Sequence, residues 1–194
     1  MLTEKEVKVL RYLSVHSKNH QSINQIAKEC KITPNGAYKI LKKFENEGVL
    51  LFKQISNIKS YYIDFQNKKS LNIMELALTS KINKERIKHR IEDIKPMEKT
   101  TKTCILFGSY ISGKKEPNDL DVLVVFEKNR YDAYQETLNR IKEICPVAIH
   151  DVIQTKHDLI DNIRKGDSVI INILENGIVL WGQSLIVEVL KNAS

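Results

Sequence analysis

The hydrophobic pattern of the N-terminal third predicts three short helices followed by two strands. A hydroxyl at Thr3 and a carboxylate at Glu6 form a capping-box pattern, which marks the start of the first helix. The third helix is expected to begin after Thr33, because a proline follows at the first helical position. Two apolar runs, at residues 49–53 and 59–63, flank a Ser-Asn turn and predict a β-hairpin.

Over residues 1–66, this order resembles the winged helix-turn-helix DNA-binding domains of prokaryotic transcription regulators. The resemblance is carried by residues 22–27 and by the helix start at residues 33–35, which match the two central helices of that family. The resemblance implies that the third helix lies in the major groove and that the hairpin reaches nearby phosphates. The residues expected to face DNA are Asn35, Tyr38, Lys39, Lys42 and Lys43 on the helix, with Lys53 and Lys59 on the hairpin. Winged helices also dock proteins, so that alternative stays open for this surface.

Residues 67–99 are polar and highly charged, with apolar positions at helical spacing. They predict one long helix or two shorter ones, ended by Pro96. We expect a helical linker between two domains, which could also serve in a homodimer. A contribution of its basic residues to nucleic-acid binding is the alternative.

The second half opens with a short apolar run, Cys104 to Phe107, that leads into Gly108-Ser109 and predicts a strand followed by a tight turn. A second apolar strand begins with Asp119 and Asp121. Side chains at i and i+2 of a strand project to the same face, so the two carboxylates are expected to lie together. Two carboxylates this close repel each other, and a divalent cation such as Mg²⁺ or Mn²⁺ relieves that repulsion.

The turn before this strand adds a second signal. A glycine permits close approach of the backbone, and the amides and hydroxyl of Gly108-Ser109 are suited to phosphate oxygens. Phosphate-binding groups and metal-binding carboxylates are the parts that phosphoryl transfer most needs.

The sequence 107–113 with Asp119-Leu120-Asp121 resembles the minimal nucleotidyltransferases, small prokaryotic members of the DNA polymerase β superfamily, over residues 100–182. The resemblance implies an α/β domain with a mixed sheet. The predicted fold therefore has two domains. Residues 1–66 form a winged helix, which is all-α with a β-hairpin wing, and residues 100–194 form an α/β nucleotidyltransferase domain. A helical linker at residues 67–99 connects them.

The resemblance also assigns roles to individual residues. A third carboxylate comes from a neighbouring strand in such enzymes, and Asp151 is the matching residue, so Asp119, Asp121 and Asp151 are the expected catalytic and metal-binding set. Gly108 and Ser109 are expected to bind nucleotide. Many members carry an arginine near the position of Ser112; here that charge is expected to come from Lys114 and Lys115. His150 is predicted to point away from the site.

Charge is unevenly distributed along the chain, whose formal net charge is +7. Residues 1–100 hold 20 Lys/Arg against 11 Asp/Glu, whereas residues 101–194 hold 11 against 13, so the first half is expected to meet a polyanion. The three widely spaced cysteines predict reduced thiols. Without an apolar signal-peptide core or membrane-length apolar run, a cytoplasmic location with no membrane partner is expected.

The resulting functional hypothesis is a metal-dependent enzyme that transfers NMP from an NTP to a hydroxyl. The resemblance suggests ATP and a tyrosine on a partner HEPN-type ribonuclease toxin, which makes the chain an antitoxin that represses its own operon. The first alternative is a DNA-binding regulator whose second domain senses nucleotide or docks a partner without turnover. Modification of a small molecule, such as an aminoglycoside, or of tRNA ends is the second.

Overall fold

The computed structural model describes residues 1–17, 21–79, 85–112 and 117–194, and these form two compact units. The first comprises Met1–Leu78 with Leu190–Asn192 and Ser194, and the second comprises Thr79–Val189 with Ala193. The boundary lies inside the segment 67–99, which the sequence predicts as a linker. The described residues of that segment are therefore divided between the two units.

The first unit contains three helices, a hairpin and a fourth helix in its described part. In chain order these are α1 (Glu4–Val15), α2 (Ile23–Glu29), α3 (Pro34–Asn46), β1 (Leu50–Ile55), β2 (Ile58–Ile63) and α4 (Lys68–Leu78). The antiparallel pairing of β1 and β2 runs from Leu50 opposite Ile63 to Ile55 opposite Ile58. The predicted order of three helices and a hairpin is thus confirmed.

Side-chain caps explain where the first helices begin. The Thr3 amide donates to Glu6 Oε2 at 2.7 Å, and the Glu6 amide donates to Thr3 Oγ1 at 3.3 Å, which completes the predicted capping box. At α3, Thr33 Oγ1 accepts from the Gly36 amide at 3.1 Å, and Pro34 occupies the first turn, where its missing amide hydrogen costs nothing. The sequence therefore predicts these helix starts correctly.

Apolar residues from each element form the core of the first unit. Those with 4 % exposure or less include Val9, Leu10 and Leu13 of α1, Ala37, Leu41 and Phe44 of α3, and Leu50, Tyr61 and Ile63 of the hairpin. Burial of these side chains is the main force that holds the short helices together, because isolated helices of this length are marginal in water.

The second unit combines helices and strands. Its elements are α5 (Glu85–Ile94), β3 (Thr103–Phe107), β4 (Asp119–Val125), α6 (Tyr131–Ile144), β5 (Ala148–Gln154), α7 (Lys156–Lys165), α8 (Ser168–Asn176), β6 (Ile178–Trp181) and most of α9 (Gln183–Ala193). Short 3₁₀ turns lie at Lys95–Lys99, Gly108–Tyr110 and Lys128–Arg130.

The strands form a mixed sheet in the order β5-β4-β3-β6, which confirms the predicted sheet class. The central β4 is antiparallel to β3 and parallel to β5, and β3 is antiparallel to β6. Helix α6 connects the two parallel strands, as a parallel pair requires a long crossover.

One face of the sheet is covered by α6. Its residues Tyr134, Leu138 and Ile141 belong to the same buried cluster as the even-numbered residues Leu120, Val122 and Val124 of β4. Because β4 alternates, this packing turns the odd-numbered residues at the start of the strand toward the other face. No helix among the described residues is long and apolar enough to cross a membrane.

Candidate active site

Two carboxylates lie at the start of the central strand. Asp119 and Asp121 alternate with the fully buried Leu120 and Val122, so the apolar side of β4 sets the direction in which both acids point. The side chain of Asp119 is 35 % exposed and that of Asp121 is 21 % exposed. The pair is therefore open to solvent on one side and shielded by protein on the other.

The Gly-Ser turn lies directly against this pair, because Phe107, the last residue of β3, pairs with Asp121. Gly108 adopts a φ of +73°, and a Cβ atom at this position would lie 1.9 Å from Asp121 Oδ2. Only glycine accommodates both this conformation and this approach. The Ser109 hydroxyl lies 3.3 Å from Asp119 Oδ1, to which it donates. The structure thus brings Gly108, Ser109, Asp119 and Asp121 together.

The proximity of the two acids affects their ionisation. Burial raises the pKa of Asp121, and the neighbouring Asp119 raises it further. His150 and the Ser109 amide, which donates to this carboxylate, lower the pKa of Asp121, but the net shift is upward from the ordinary value of 3.8. A cation placed between the acids would favour the ionised form of both.

His150 is the third polar residue at this site. It lies opposite Asp121 in the parallel register of β4 and β5 and projects to the same face. Its Nδ1 atom is 3.4 Å from Asp119 Oδ2 and 3.6 Å from Asp121 Oδ1. The prediction that His150 points away from the site is therefore wrong.

Asp151, the predicted third carboxylate, lies on the opposite face of the sheet. It pairs with the buried Val122, its Oδ2 accepts from the Tyr134 hydroxyl at 2.8 Å, and its Oδ1 lies 3.7 Å from Lys142 Nζ. The placement of Asp151 beside Asp119 and Asp121 is therefore wrong, because the register of β5 turns its odd-numbered positions toward α6.

The sequence itself indicates which side of β5 faces the acidic pair. Val147, the residue before β5, and Ile149, the second residue of β5, both pack into the apolar cluster that includes Tyr134, Leu138 and Ile141 of α6. Alternation then places Asp151 on that same side and His150 on the other. The apolar alternation, and not the identity of the acid, decides which residue reaches the site.

The predicted nucleotide-binding residues Lys114 and Lys115 lie outside the described residues. Of the predicted DNA-facing residues, Asn35, Tyr38, Lys39, Lys43 and Lys53 are exposed, whereas Lys42 and Lys59 are partly buried.

Three of those predicted DNA-facing lysines have acidic partners. Lys42 and Lys59 lie 2.9 and 3.8 Å from Glu45, and Lys43 lies 2.6 Å from Glu6. Their charges are thus partly neutralised within the protein.

The donor set at the head of β4 is suited to a divalent cation. Asp119, Asp121 and His150 each offer one ligand atom, and these atoms lie within 4.8 Å of one another. Carboxylate oxygen and imidazole nitrogen are common ligands of divalent metals, and the Ser109 hydroxyl stands beside them. The site therefore combines a possible metal position with a turn suited to phosphate.

A family model described as "Polymerase beta, Nucleotidyltransferase" matches residues 89–184, just under half of the chain. The match supports the nucleotidyltransferase superfamily. The matched segment runs from within α5 to the start of α9 and contains the Gly-Ser turn, both carboxylates and His150. No curated protein and no solved structure matches the chain.

A nucleotidyltransferase domain indicates NMP transfer in general, with an NTP as donor and a divalent metal as the usual cofactor. The mixed sheet of the second unit is consistent with such a domain, and the Asp-Asp-His group could hold the metal.

Proposed function

We propose that this protein transfers an NMP from an NTP to a hydroxyl of a macromolecule at the head of β4. The observation that carries the proposal is the meeting of two carboxylates with a Gly-Ser turn inside the segment that matches the nucleotidyltransferase model. ATP as donor and a tyrosine of a partner HEPN-type protein as acceptor are the choices that the sequence resemblance favours.

In the proposed reaction, the oxygen of the acceptor hydroxyl attacks the α-phosphorus of the NTP. The bond from that phosphorus to its bridging oxygen breaks, and pyrophosphate leaves. The hydroxyl proton passes to the carboxylate pair, in which the Asp119 side chain is 35 % exposed, and from there to water. A divalent cation, when bound, supplies charge neutralisation of the triphosphate and favours loss of the hydroxyl proton.

The Gly-Ser turn has a separate role in this proposal. The hydroxyl and amide of Ser109 both donate to the carboxylates. The same donors would turn to phosphate oxygens of the NTP, while Gly108 lets the turn lie directly against Asp121.

Labelled ATP tests the proposal. The full chain is incubated with a cell lysate, a divalent metal and ATP that carries the label on either the α- or the γ-phosphate. The α-label should appear on a macromolecule, the γ-label should not, and Asp121→Asn should abolish the signal. Asp132→Asn is the matched control, since this acid lies exposed at the start of α6. Equal labelling by Asp121→Asn and wild type would refute the mechanism.

The first unit supports a second candidate function, DNA binding. The order of α1, α2, α3 and the hairpin leaves Asn35, Tyr38 and Lys39 of α3 and Lys53 of β1 exposed. A helix that presents amide, aromatic and lysine groups is suited to a DNA groove, and the basic first half adds sequence-independent attraction. On this reading the protein regulates transcription, including that of its own operon.

Mobility shifts with DNA from upstream of the gene test this second function. Lys39→Glu combined with Lys53→Glu should abolish binding, whereas Lys8→Glu on the exposed side of α1 should weaken it only slightly. Asp119→Asn should bind DNA as wild type does. Full binding by the Lys39/Lys53 double variant would exclude this surface.

A further inference from the structure

The third side chain beside Asp119 and Asp121 is the imidazole of His150 and not a third carboxylate. Parallel pairing places Ala148 and His150 of β5 beside Asp119 and Asp121, and Ala148 has no donor atom. The adjacent acid, Asp151, is held on the other face by Tyr134. Among the described residues, the group that could hold a metal is therefore two carboxylates and one histidine.

This exchange changes both the charge and the chemistry of the site. A neutral imidazole in place of a third carboxylate leaves two negative charges to bind the cation. Mg²⁺ strongly prefers hard oxygen ligands, whereas Mn²⁺ and the later divalent ions accept imidazole nitrogen readily. A histidine that projects between two carboxylates therefore favours a transition metal over Mg²⁺.

We propose that His150 Nδ1 is a metal ligand of this site and that it gives the site a preference for Mn²⁺ over Mg²⁺. The proposal rests on the proposed function, because it identifies the ion that the nucleotidyl transfer would use. The distances of 3.4 and 3.6 Å from Nδ1 to the two carboxylates leave the three donors close enough to converge on one ion. His150 is 63 % exposed, so water has access to the remaining coordination positions of a bound ion.

Electron paramagnetic resonance of the full chain titrated with Mn²⁺ tests the proposal, because the signal of the free hydrated ion falls as it binds. His150→Ala should weaken Mn²⁺ affinity by about tenfold or more. His150→Asp should shift the preference toward Mg²⁺, measured as more effective competition by Mg²⁺ for bound Mn²⁺. His157→Ala, an exposed histidine of α7, is the matched control and should leave the affinity unchanged.

Pulsed measurements on the same samples report the ligand directly. Bound Mn²⁺ in the wild-type protein should couple to a ¹⁴N nucleus of imidazole, and this coupling should be absent in His150→Ala but present in Asp151→Asn. A merely structural role for His150 would not produce such a coupling.

The outcomes separate this inference from the proposed function. If Asp151→Asn weakens Mn²⁺ binding while His150→Ala does not, the inference is overturned, although labelling that depends on Asp121 would still support transfer. If Asp121→Asn changes neither Mn²⁺ binding nor labelling, the proposed function fails as well.

Discussion

Gly108 determines how closely the turn after β3 approaches the acidic pair. Its positive φ and the 1.9 Å between a hypothetical Cβ and Asp121 Oδ2 are two separate constraints. Gly166, at the end of α7, shares the first constraint with a φ of +75°, but a Cβ there would meet nothing within 4 Å. The two glycines therefore allow strain and crowding to be measured separately.

Alanine at each position is expected to have different effects. Gly166→Ala should lower the free energy of unfolding by about 1 kcal/mol, because a left-handed conformation is unfavourable for alanine. It should leave Mn²⁺ binding unchanged. Gly108→Ala should lose at least as much stability and should also weaken Mn²⁺ binding, because the Asp121 carboxylate has to move. Urea unfolding and Mn²⁺ titration measure both effects, and wild-type Mn²⁺ affinity in Gly108→Ala would contradict the crowding argument.

Glu6 links two helices of the first unit. It completes the cap of α1, and it also accepts from Lys43 Nζ of α3 at 2.6 Å. Burial raises its pKa, but the hydrogen bonds from Lys43 and Thr3 more than offset this, so the pKa of Glu6 lies below its ordinary value of 4.5. A lowered pKa means that the ionised form stabilises the fold.

Glu6→Gln should therefore destabilise the protein in a pH-dependent way. Glutamine still caps the helix but loses the charge opposite Lys43, so the free energy of unfolding should fall by about 1 kcal/mol at pH 7. The contribution is present above the unfolded pKa and is lost as pH falls through the folded pKa, so the difference should shrink by pH 3. Urea unfolding at both pH values checks this, with the exposed Glu4→Gln as control. A difference that is equal at pH 3 and pH 7 would count against the ion pair.

At the scale of elements, the start of β4 was predicted correctly, whereas the side of β5 that faces it was not, although the apolar residues Val147 and Ile149 indicate that side. The direction in which Asp119 and Asp121 project depends only on alternation within one strand. Gly108 and Ser109 lie next to them in a short turn. The position of His150 depends on how β5 aligns with β4, and that alignment is set by packing against α6. A resemblance that matches residue types along the chain contains no such information, so it favoured Asp151.

The contact between α6 and β5 can be tested through Tyr134. Its ring is fully buried and stacks on Phe126 with 5.6 Å between centroids, and burial together with the Asp151 carboxylate raises the pKa of its hydroxyl. Tyr134→Phe removes a hydrogen bond to a charged acceptor and should lower the free energy of unfolding by about 2 kcal/mol.

Mn²⁺ affinity should remain unchanged in Tyr134→Phe, because the lost contact lies on the other face of the sheet. Thermal unfolding and Mn²⁺ titration measure the two effects, with Tyr131→Phe, 45 % exposed, as control. Weaker Mn²⁺ binding in Tyr134→Phe would indicate that Asp151 contributes to the metal site after all.

At the scale of the whole molecule, formal charge overstates the charge available to a polyanion. The first hundred residues carry an excess of nine positive charges, yet Lys42, Lys43 and Lys59 face acids of the protein itself. Lys39 has no ion-pair partner among the residues that the structure describes. The lysines of the proposed DNA surface are therefore not equivalent.

The salt dependence of DNA affinity should show this inequality. Lys39→Ala should reduce the slope of log affinity against log salt by about 1, because each phosphate contact releases condensed counterions. Lys43→Ala should reduce it less, since Glu6 already balances that charge. Fluorescence anisotropy at several salt concentrations measures both slopes, and an equal reduction in the two variants would contradict the distinction.

The neighbouring His150 and Asp151 have a consequence for how this site could evolve. A shift of β5 by one residue along β4 would exchange the two, and would present a carboxylate where the imidazole now stands. The same shift would turn Ile149, which is 4 % exposed, out of the core. If His150 binds the metal as proposed, the hydrophobic side of β5 decides which residue reaches that metal, and substitutions at Ile149 offer natural selection a route to a different ion without substitution of His150 or Asp151.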